Sequence, residues 1–79
     1  MVSEEDFIKE AINFVKTHGA TGDYDIDYYG DVKVINIINP GWSISKSMSV
    51  REDLKEHMDE YCSSHDCEYL MDCVNLLIL

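Results

Sequence analysis

The residues best suited to chemistry in this sequence are three aspartates that alternate with apolar residues in the segment Asp23-Tyr24-Asp25-Ile26-Asp27-Tyr28. If this segment is a β-strand, successive side chains point to opposite faces, so the three carboxylates share one face. Carboxylates two residues apart on a strand lie about 6.6 Å apart, which is roughly the spacing of neighbouring phosphates on one nucleic-acid strand. A regular row of this kind can imitate a nucleic acid.

Two other interpretations of this aspartate row stay open. A calcium-binding loop also begins Asp-x-Asp-x-Asp, but its sixth position is Tyr28 here, where Gly is needed, and its twelfth is Val34, where Glu is needed. The row is also compatible with an ordinary strand face that meets solvent. The regular spacing and the net charge of −10 speak for a binding surface.

A second group of reactive residue types lies between residues 57 and 73. Cys62, His65, Cys67 and Cys73 are all types that zinc accepts as ligands. Their spacing is not that of a standard zinc knuckle, and free cysteine commonly packs as a small hydrophobic residue. A cysteine nucleophile needs a stabilised thiolate, which acidic surroundings oppose. We therefore expect no catalytic residue, cofactor or metal, with zinc at these four positions as the alternative.

The charge balance restricts the partners of this protein. Sixteen acidic residues stand against six basic ones in 79 residues. Binding to nucleic acid or to an anionic membrane surface is driven by Lys and Arg, so we expect neither and predict a basic protein partner instead. The first residues lack the apolar region of a signal peptide, and the apolar stretch at 69–79 is too short to span a bilayer. Three cysteines fit reduced thiols in the cytoplasm.

These candidate residues must be positioned by a single small domain, residues 1–79. Apolar residues at helical spacing after a capping pair, Ser3 with Asp6, predict the first helix. Asn39-Pro40-Gly41 predicts a turn, and Ser49 with Glu52 resembles a second capping box. The predicted elements up to this point are a helix at 4–18, strands at 24–29, 32–38 and 42–48, and a helix at 50–62.

An antiparallel meander of the three strands gives each face a consistent character. One face becomes an apolar core face, and the other is polar apart from Val34 and Ile38. The core face would contain Tyr24, Ile26, Ile35, Ile37, Trp42 and Ile44. The polar face would contain Asp23, Asp25, Asp27, Asn36, Ser43, Ser45 and Ser47. The aspartates would then lie on an edge strand, where charge also blocks unwanted strand pairing.

The end of the chain is ambiguous. Ser63-Ser64 interrupts the pattern and suits the cap of a third helix near His65. Residues 69–79 fit a helix, which we favour, whereas 74–79 also fits a buried strand. The sequence thus predicts an α+β domain of the order α-βββ-αα: an N-terminal helix, a three-stranded antiparallel meander and two C-terminal helices, with one layer of helices on one sheet face.

This element order, together with the acidic charge, resembles the small inhibitors that phages and mobile elements use against bacterial defence. The nearest likeness is to anti-CRISPR proteins that mimic DNA on RNA-guided nucleases, and it covers element order and charge without any sequence motif. The resemblance implies a non-enzymatic inhibitor that competes with nucleic acid for a basic protein groove. In this chain, two rows of charge would contact the partner. The first row is Asp23, Asp25, Asp27 and Asp31, and the second is Glu52, Glu56, Asp59 and Glu60.

A function of another class remains as the alternative. The chain would then be a small regulatory or structural domain, with or without zinc at the four Cys and His positions. It would oligomerise through its apolar C-terminal segment, because a domain this small has little interior in which to bury that segment. The sequence leaves the oligomeric state open between a monomer and a homodimer, and only the alternative requires self-association.

Overall fold

The computed structural model describes residues 2–79 and contains three helices and three strands within them. The elements are α1 (Glu4–Lys16), β1 (Tyr24–Tyr29), β2 (Val32–Ile37), α2 (Ile44–His65), α3 (Glu68–Cys73) and β3 (Val74–Ile78). The strands form one sheet in the order β1-β2-β3. β2 pairs antiparallel with β1 and parallel with β3, so β1 and β3 are the two edges of a mixed sheet.

The first helix confirms the sequence prediction apart from its last turn. Ser3 is the N-cap, and its hydroxyl accepts a hydrogen bond from the backbone N–H of Asp6 at 3.1 Å. The apolar side of α1 is buried, with Phe7 and Val15 fully enclosed. The helix ends at Lys16 rather than at residue 18.

The β1–β2 hairpin is also as predicted, except that β2 ends at Ile37. A two-residue turn joins the strands, and Gly30 adopts φ 62° there, in the left-handed region that suits glycine. In the register, Tyr24 lies opposite Ile37 and Ile26 lies opposite Ile35. These four residues therefore share one sheet face, as the alternation predicted.

The predicted third strand at 42–48 is wrong, because this segment begins α2. Ser43 is the N-cap of α2, and its hydroxyl accepts from the backbone N–H of Lys46 at 3.1 Å. Ser49, predicted as a cap, lies inside the helix, which continues to His65 rather than to residue 62. The first turns of α2 are largely exposed, and Ile44 is 81% exposed. Because no one-sided burial marks these turns, they show no helical periodicity in the sequence.

The third strand instead comes from the end of the chain. The predicted helix at 69–79 is wrong in its second half: α3 ends at Cys73, and Val74 enters extended backbone with φ −134°. β3 then pairs parallel with β2, with Lys33 opposite Val74 and Ile37 opposite Ile78. A parallel pair requires a crossover connection, which α2 and α3 provide. The fold is thus α-ββ-αα-β with a mixed sheet, and the predicted antiparallel α-βββ-αα order is incorrect.

α1 and α2 pack on the same face of the sheet, which is the core face. The core residues are Phe7, Ile8, Ala11, Ile12, Val15, Ile35, Ile37, Val50, Leu54, Met58, Cys62, Cys67, Leu70, Val74 and Ile78. Neither α1 nor α2 packs on the opposite face of the sheet, which we call the open face. Trp42, Ile44 and the serines at 43, 45 and 47, predicted to lie on the sheet, belong to neither of its faces.

Across residues 2–79, no helix combines the length and the apolar character required to cross a membrane.

Candidate protein-binding surface on β1

The aspartate row lies on a strand that is exposed along its whole length. Every residue of β1 is exposed, whereas β2 beside it is half-buried to buried. Tyr28 and Tyr29 are 70% and 66% exposed, and Ile26 is 37% exposed. The sequence predicted correctly which β1 residues share a face, but it assigned Tyr24 and Ile26 to the buried core. Hydrophobic periodicity indicates the face on which a residue lies. It does not reveal that an edge strand extends beyond the helices that cover its neighbour.

The register places the carboxylates of β1 on the open face. Asp25 lies opposite Asn36, and Asp27 lies opposite Val34. The Asn36 side-chain amide donates to a carboxylate oxygen of Asp27 at 2.7 Å. Asp23, just before the strand, accepts from the Thr21 hydroxyl at 3.2 Å. The donor groups in both hydrogen bonds are neutral, so they orient the carboxylates of Asp23 and Asp27 without cancelling their charge.

No cation of the chain pairs with the row within residues 2–79. The ion pairs found there are Lys33 with Glu4 and His57 with Glu10, both on the helix side of the sheet. The hydrogen bond from Lys33 to Glu4 raises the pKa of the lysine, and Lys33 lies 5.5 Å from the Tyr28 ring centre. Lys33, the basic residue nearest to β1 along the sheet, is therefore already engaged by Glu4 and Tyr28.

The outer edge of β1 carries backbone groups that pair with nothing in the described part of the chain, residues 2–79. The N–H of Ile38 donates to the carbonyl of Asp23 at 2.9 Å, which identifies these two as a hydrogen-bonded pair. In an antiparallel ladder such pairs alternate, so Asp25, Asp27 and Tyr29 also bond to β2. The N–H and C=O groups of Tyr24, Ile26 and Tyr28 consequently point away from the sheet.

The second predicted row is not brought to the same surface. Glu52, Glu56, Asp59 and Glu60 are exposed on α2, on the side of the helix away from its buried residues. α2 covers the core face, whereas Asp25 and Asp27 occupy the open face. The two rows therefore point in opposite directions and do not form one continuous stripe of charge. Asp31, predicted in the first row, is exposed in the turn that follows β1.

The four candidate zinc ligands are separated by burial. Cys62 and Cys67 are buried, whereas Cys73 is exposed. His65 is exposed at the end of α2, and its ring stacks on Tyr61 with centroids 4.2 Å apart. Burial, with a smaller effect from Cys67, raises the pKa of the Cys62 thiol to about 12, which keeps it protonated. No group of three or more metal-binding side chains occurs among residues 2–79.

The structure also reveals polar contacts that the sequence did not indicate. His57 bonds to the Glu10 carboxylate at 2.9 Å and stacks on Phe14 with centroids 4.4 Å apart, which joins α1 to α2. Asn39 is 4% exposed, and its side-chain nitrogen has no partner among the described residues. No local pattern marks His57, because its partners Glu10 and Phe14 lie in a distant segment.

Comparison with protein-family models, with curated proteins and with solved structures gave no match.

Proposed function

We propose that this protein is a non-enzymatic, cytoplasmic binding domain that occupies a basic groove on a nucleic-acid-binding protein and thereby competes with nucleic acid. The observation that carries the proposal is β1 itself. This strand presents Asp25 and Asp27 on a face where residues 2–79 place no cationic partner, and it is exposed along its whole length. Lys and Arg side chains of a groove would make charge-assisted hydrogen bonds to these carboxylates.

The overall charge supports the same partner chemistry. At −10 in 79 residues, the protein repels polyanions and attracts cationic surfaces over a long range, which speeds encounter with a basic partner. Competition with nucleic acid follows, because both ligands neutralise the same Lys and Arg residues.

Only the acidic charge still supports the likeness to anti-CRISPR proteins. That likeness depended on element order and charge, and the element order is different, since the third strand follows the helices. Charge alone remains, so RNA-guided nucleases are one class of partner within the proposal rather than its definition. The surface that supports the proposal is the β1 row, without the acidic side of α2.

The experiment is a binding assay with a panel of purified basic nucleic-acid-binding proteins, including a guide-loaded RNA-guided nuclease. We expect at least one member to bind, to release the protein when short duplex DNA is added, and to bind more weakly as salt rises from about 0.05 to 0.3 M. A bound partner that duplex DNA does not displace and that is insensitive to salt would contradict the proposal. An equally acidic unrelated protein serves as the control for non-specific attraction.

One observation favours the second candidate, self-association near the C-terminus. Apolar side chains are exposed together beside a cleft of about 280 Å³ between the start of α2 and the end of β3. Ile44, Met48 and Leu79 are 81%, 53% and 61% exposed. If this patch joins two copies, sedimentation should show a concentration-dependent dimer that a double Ile44→Lys, Met48→Lys variant abolishes. A monomer at all concentrations would exclude this candidate.

A further inference from the structure

We infer that the outer edge of β1 is a strand-docking site, which takes an extended basic segment of a partner protein as a fourth strand of the sheet. The inference rests on the proposed function, because it specifies how the β1 surface engages its basic partner. The segment would alternate apolar residues with Lys or Arg. Three features of this edge define the segment that would fit it: the backbone geometry of β1, the cleft beside the strand and the charge pattern.

The backbone requirement comes from the unpaired groups of Tyr24, Ile26 and Tyr28. Three N–H and three C=O groups on alternate residues match the bonding pattern of an antiparallel neighbour. The strand is six residues long and contains neither Pro nor a bulge. Natural edge strands are commonly protected by such features or by a covering element. An extended peptide can therefore pair along the full length of β1.

The helix side of this edge has space for apolar side chains. A cleft of about 470 Å³ lies between α1 and the beginning of β1. Its apolar lining comes from Ile8, Ile12 and Tyr24, and polar or charged side chains of α1 line the rest: Glu4, Glu5, Lys9, Asn13 and Lys16. On an added strand, residues opposite Tyr24, Ile26 and Tyr28 point to this side. Their apolar side chains would cover Ile26 and extend under α1, which buries surface that is now in contact with water.

The open-face side of the edge selects positive charge. Residues of the added strand opposite Asp25 and Asp27 would occupy non-hydrogen-bonded positions, where opposing Cα atoms lie only about 4.5 Å apart. Opposite charges at such positions stabilise pairing, and like charges destabilise it. Lys or Arg at two alternate positions therefore matches the two carboxylates.

The same pattern argues against a second copy of this chain as the occupant. In a twofold antiparallel pairing centred on Ile26, Asp25 of the first copy faces Asp27 of the second. Asp27 of the first copy likewise faces Asp25 of the second. Two pairs of like charges would then face each other at close range, between two molecules that each carry −10. A basic segment removes this repulsion, which is why we assign the site to it.

The test uses the ¹⁵N-labelled chain and two capped peptides of identical composition. The alternating peptide is acetyl-Thr-Val-Lys-Val-Lys-Val-Thr-amide, and the block peptide is acetyl-Thr-Lys-Lys-Val-Val-Val-Thr-amide. We expect the alternating peptide to bind about tenfold more tightly or better, because only it places charges and apolar groups in register with β1. It should slow amide hydrogen exchange at Tyr24, Ile26 and Tyr28. Asp25 and Asp27, already bonded to β2, should change little.

A matched pair of variants separates backbone pairing from side-chain contact. Tyr28→Pro removes an outward N–H, which an edge strand tolerates while its ladder to β2 stays intact. Tyr28→Ala removes the same ring but keeps the N–H. We expect Tyr28→Pro to weaken binding of the alternating peptide about tenfold relative to Tyr28→Ala. If Tyr28→Pro fails to fold, the alternating exchange pattern of the parent chain remains a decisive measurement.

Equal affinity for both peptides, or protection that does not alternate along β1, would overturn strand docking. Protection at Tyr24, Ile26 and Tyr28 that grows with protein concentration in the absence of peptide would overturn it in favour of a second copy. The proposed function fails separately: it is refuted when an intact basic partner is not displaced by duplex DNA, whatever the peptides show.

Discussion

Removing the charge of the β1 row without changing its shape tests where a basic partner binds. In the row variant, Asp23, Asp25 and Asp27 are all replaced by Asn. The control is a helix variant, Glu56→Gln, Asp59→Asn and Glu60→Gln, on the exposed side of α2. Each variant removes three negative charges, so the two differ in location and not in net charge.

The expected change in stability is small. The row side chains are exposed, and their contacts are with neutral groups: Asn36 for Asp27, and Thr21 for Asp23. Asn keeps an oxygen that can accept these hydrogen bonds. Each substitution should therefore change the free energy of unfolding by about 0.5 kcal/mol or less. Lower net repulsion offsets part of any loss in both variants.

The expected change in partner affinity is larger. An exposed ion pair contributes about 0.2–1 kcal/mol, so three pairs give roughly 0.6–3 kcal/mol, or about 3- to 150-fold in the dissociation constant. Titration of a panel member that binds the parent, with thermal melting measured in parallel, gives both quantities. The row variant should also show a weaker dependence of affinity on salt. If both variants lose affinity equally, net charge and not the β1 row governs binding, and the assigned surface is wrong.

Four further results are expected, and they concern the accessibility of the cysteines, the pH dependence of stability, the C-terminal end of α2 and zinc content. A thiol reagent should label Cys73 rapidly in the folded protein and reach Cys62 and Cys67 only on unfolding, since both are buried; fast labelling of all three would contradict the core packing. Because burial raises the pKa of Cys62 to about 12, the folded chain keeps a proton that the unfolded chain loses above about pH 9. Stability should therefore be constant with respect to this group below pH 9 and fall between about pH 9 and 12, and denaturant titrations should show a shallower fall for Cys62→Ala. Asp66→Gly should raise the unfolding free energy by about 0.5–1 kcal/mol, because Asp66 sits at φ 57° and adds negative charge at the C-terminal end of α2; a lower melting temperature would refute this. If the zinc alternative is correct, protein purified without chelators should contain about one zinc per chain, and a metal-free protein whose melting is unchanged by chelator would remove that alternative.

The parts that the sequence predicted correctly are those specified by short-range patterns. Ser3 and the helical spacing that follows determine α1, and the alternation at 24–29 with the Gly30 turn determines the hairpin and its faces. In both, the residues that interact are close along the chain. The position of the aspartates on one strand face, and hence the candidate surface, could therefore be inferred from the sequence alone.

The position of the third strand was decided by tertiary structure. Alternating Ser with Ile, Lys and Met at 43–48 looked like a strand because this exposed start of α2 has no buried side to impose helical periodicity. Val74–Ile78 is short and apolar, which suits either a helix or a strand. Only the vacant edge of β2, made available by the crossover through α2 and α3, selects the strand.

The same long-range packing determined what the candidate surface can do. The acidic residues of α2 are evident in the sequence, but only the packing of α2 on the core face turns them away from the β1 row. With β3 on the far side of β2, β1 is left as an uncovered edge. The sequence by itself determined the charge and spacing of the row, whereas the order of the strands determined that its backbone is free to pair, because an edge exists only once every other strand has been placed.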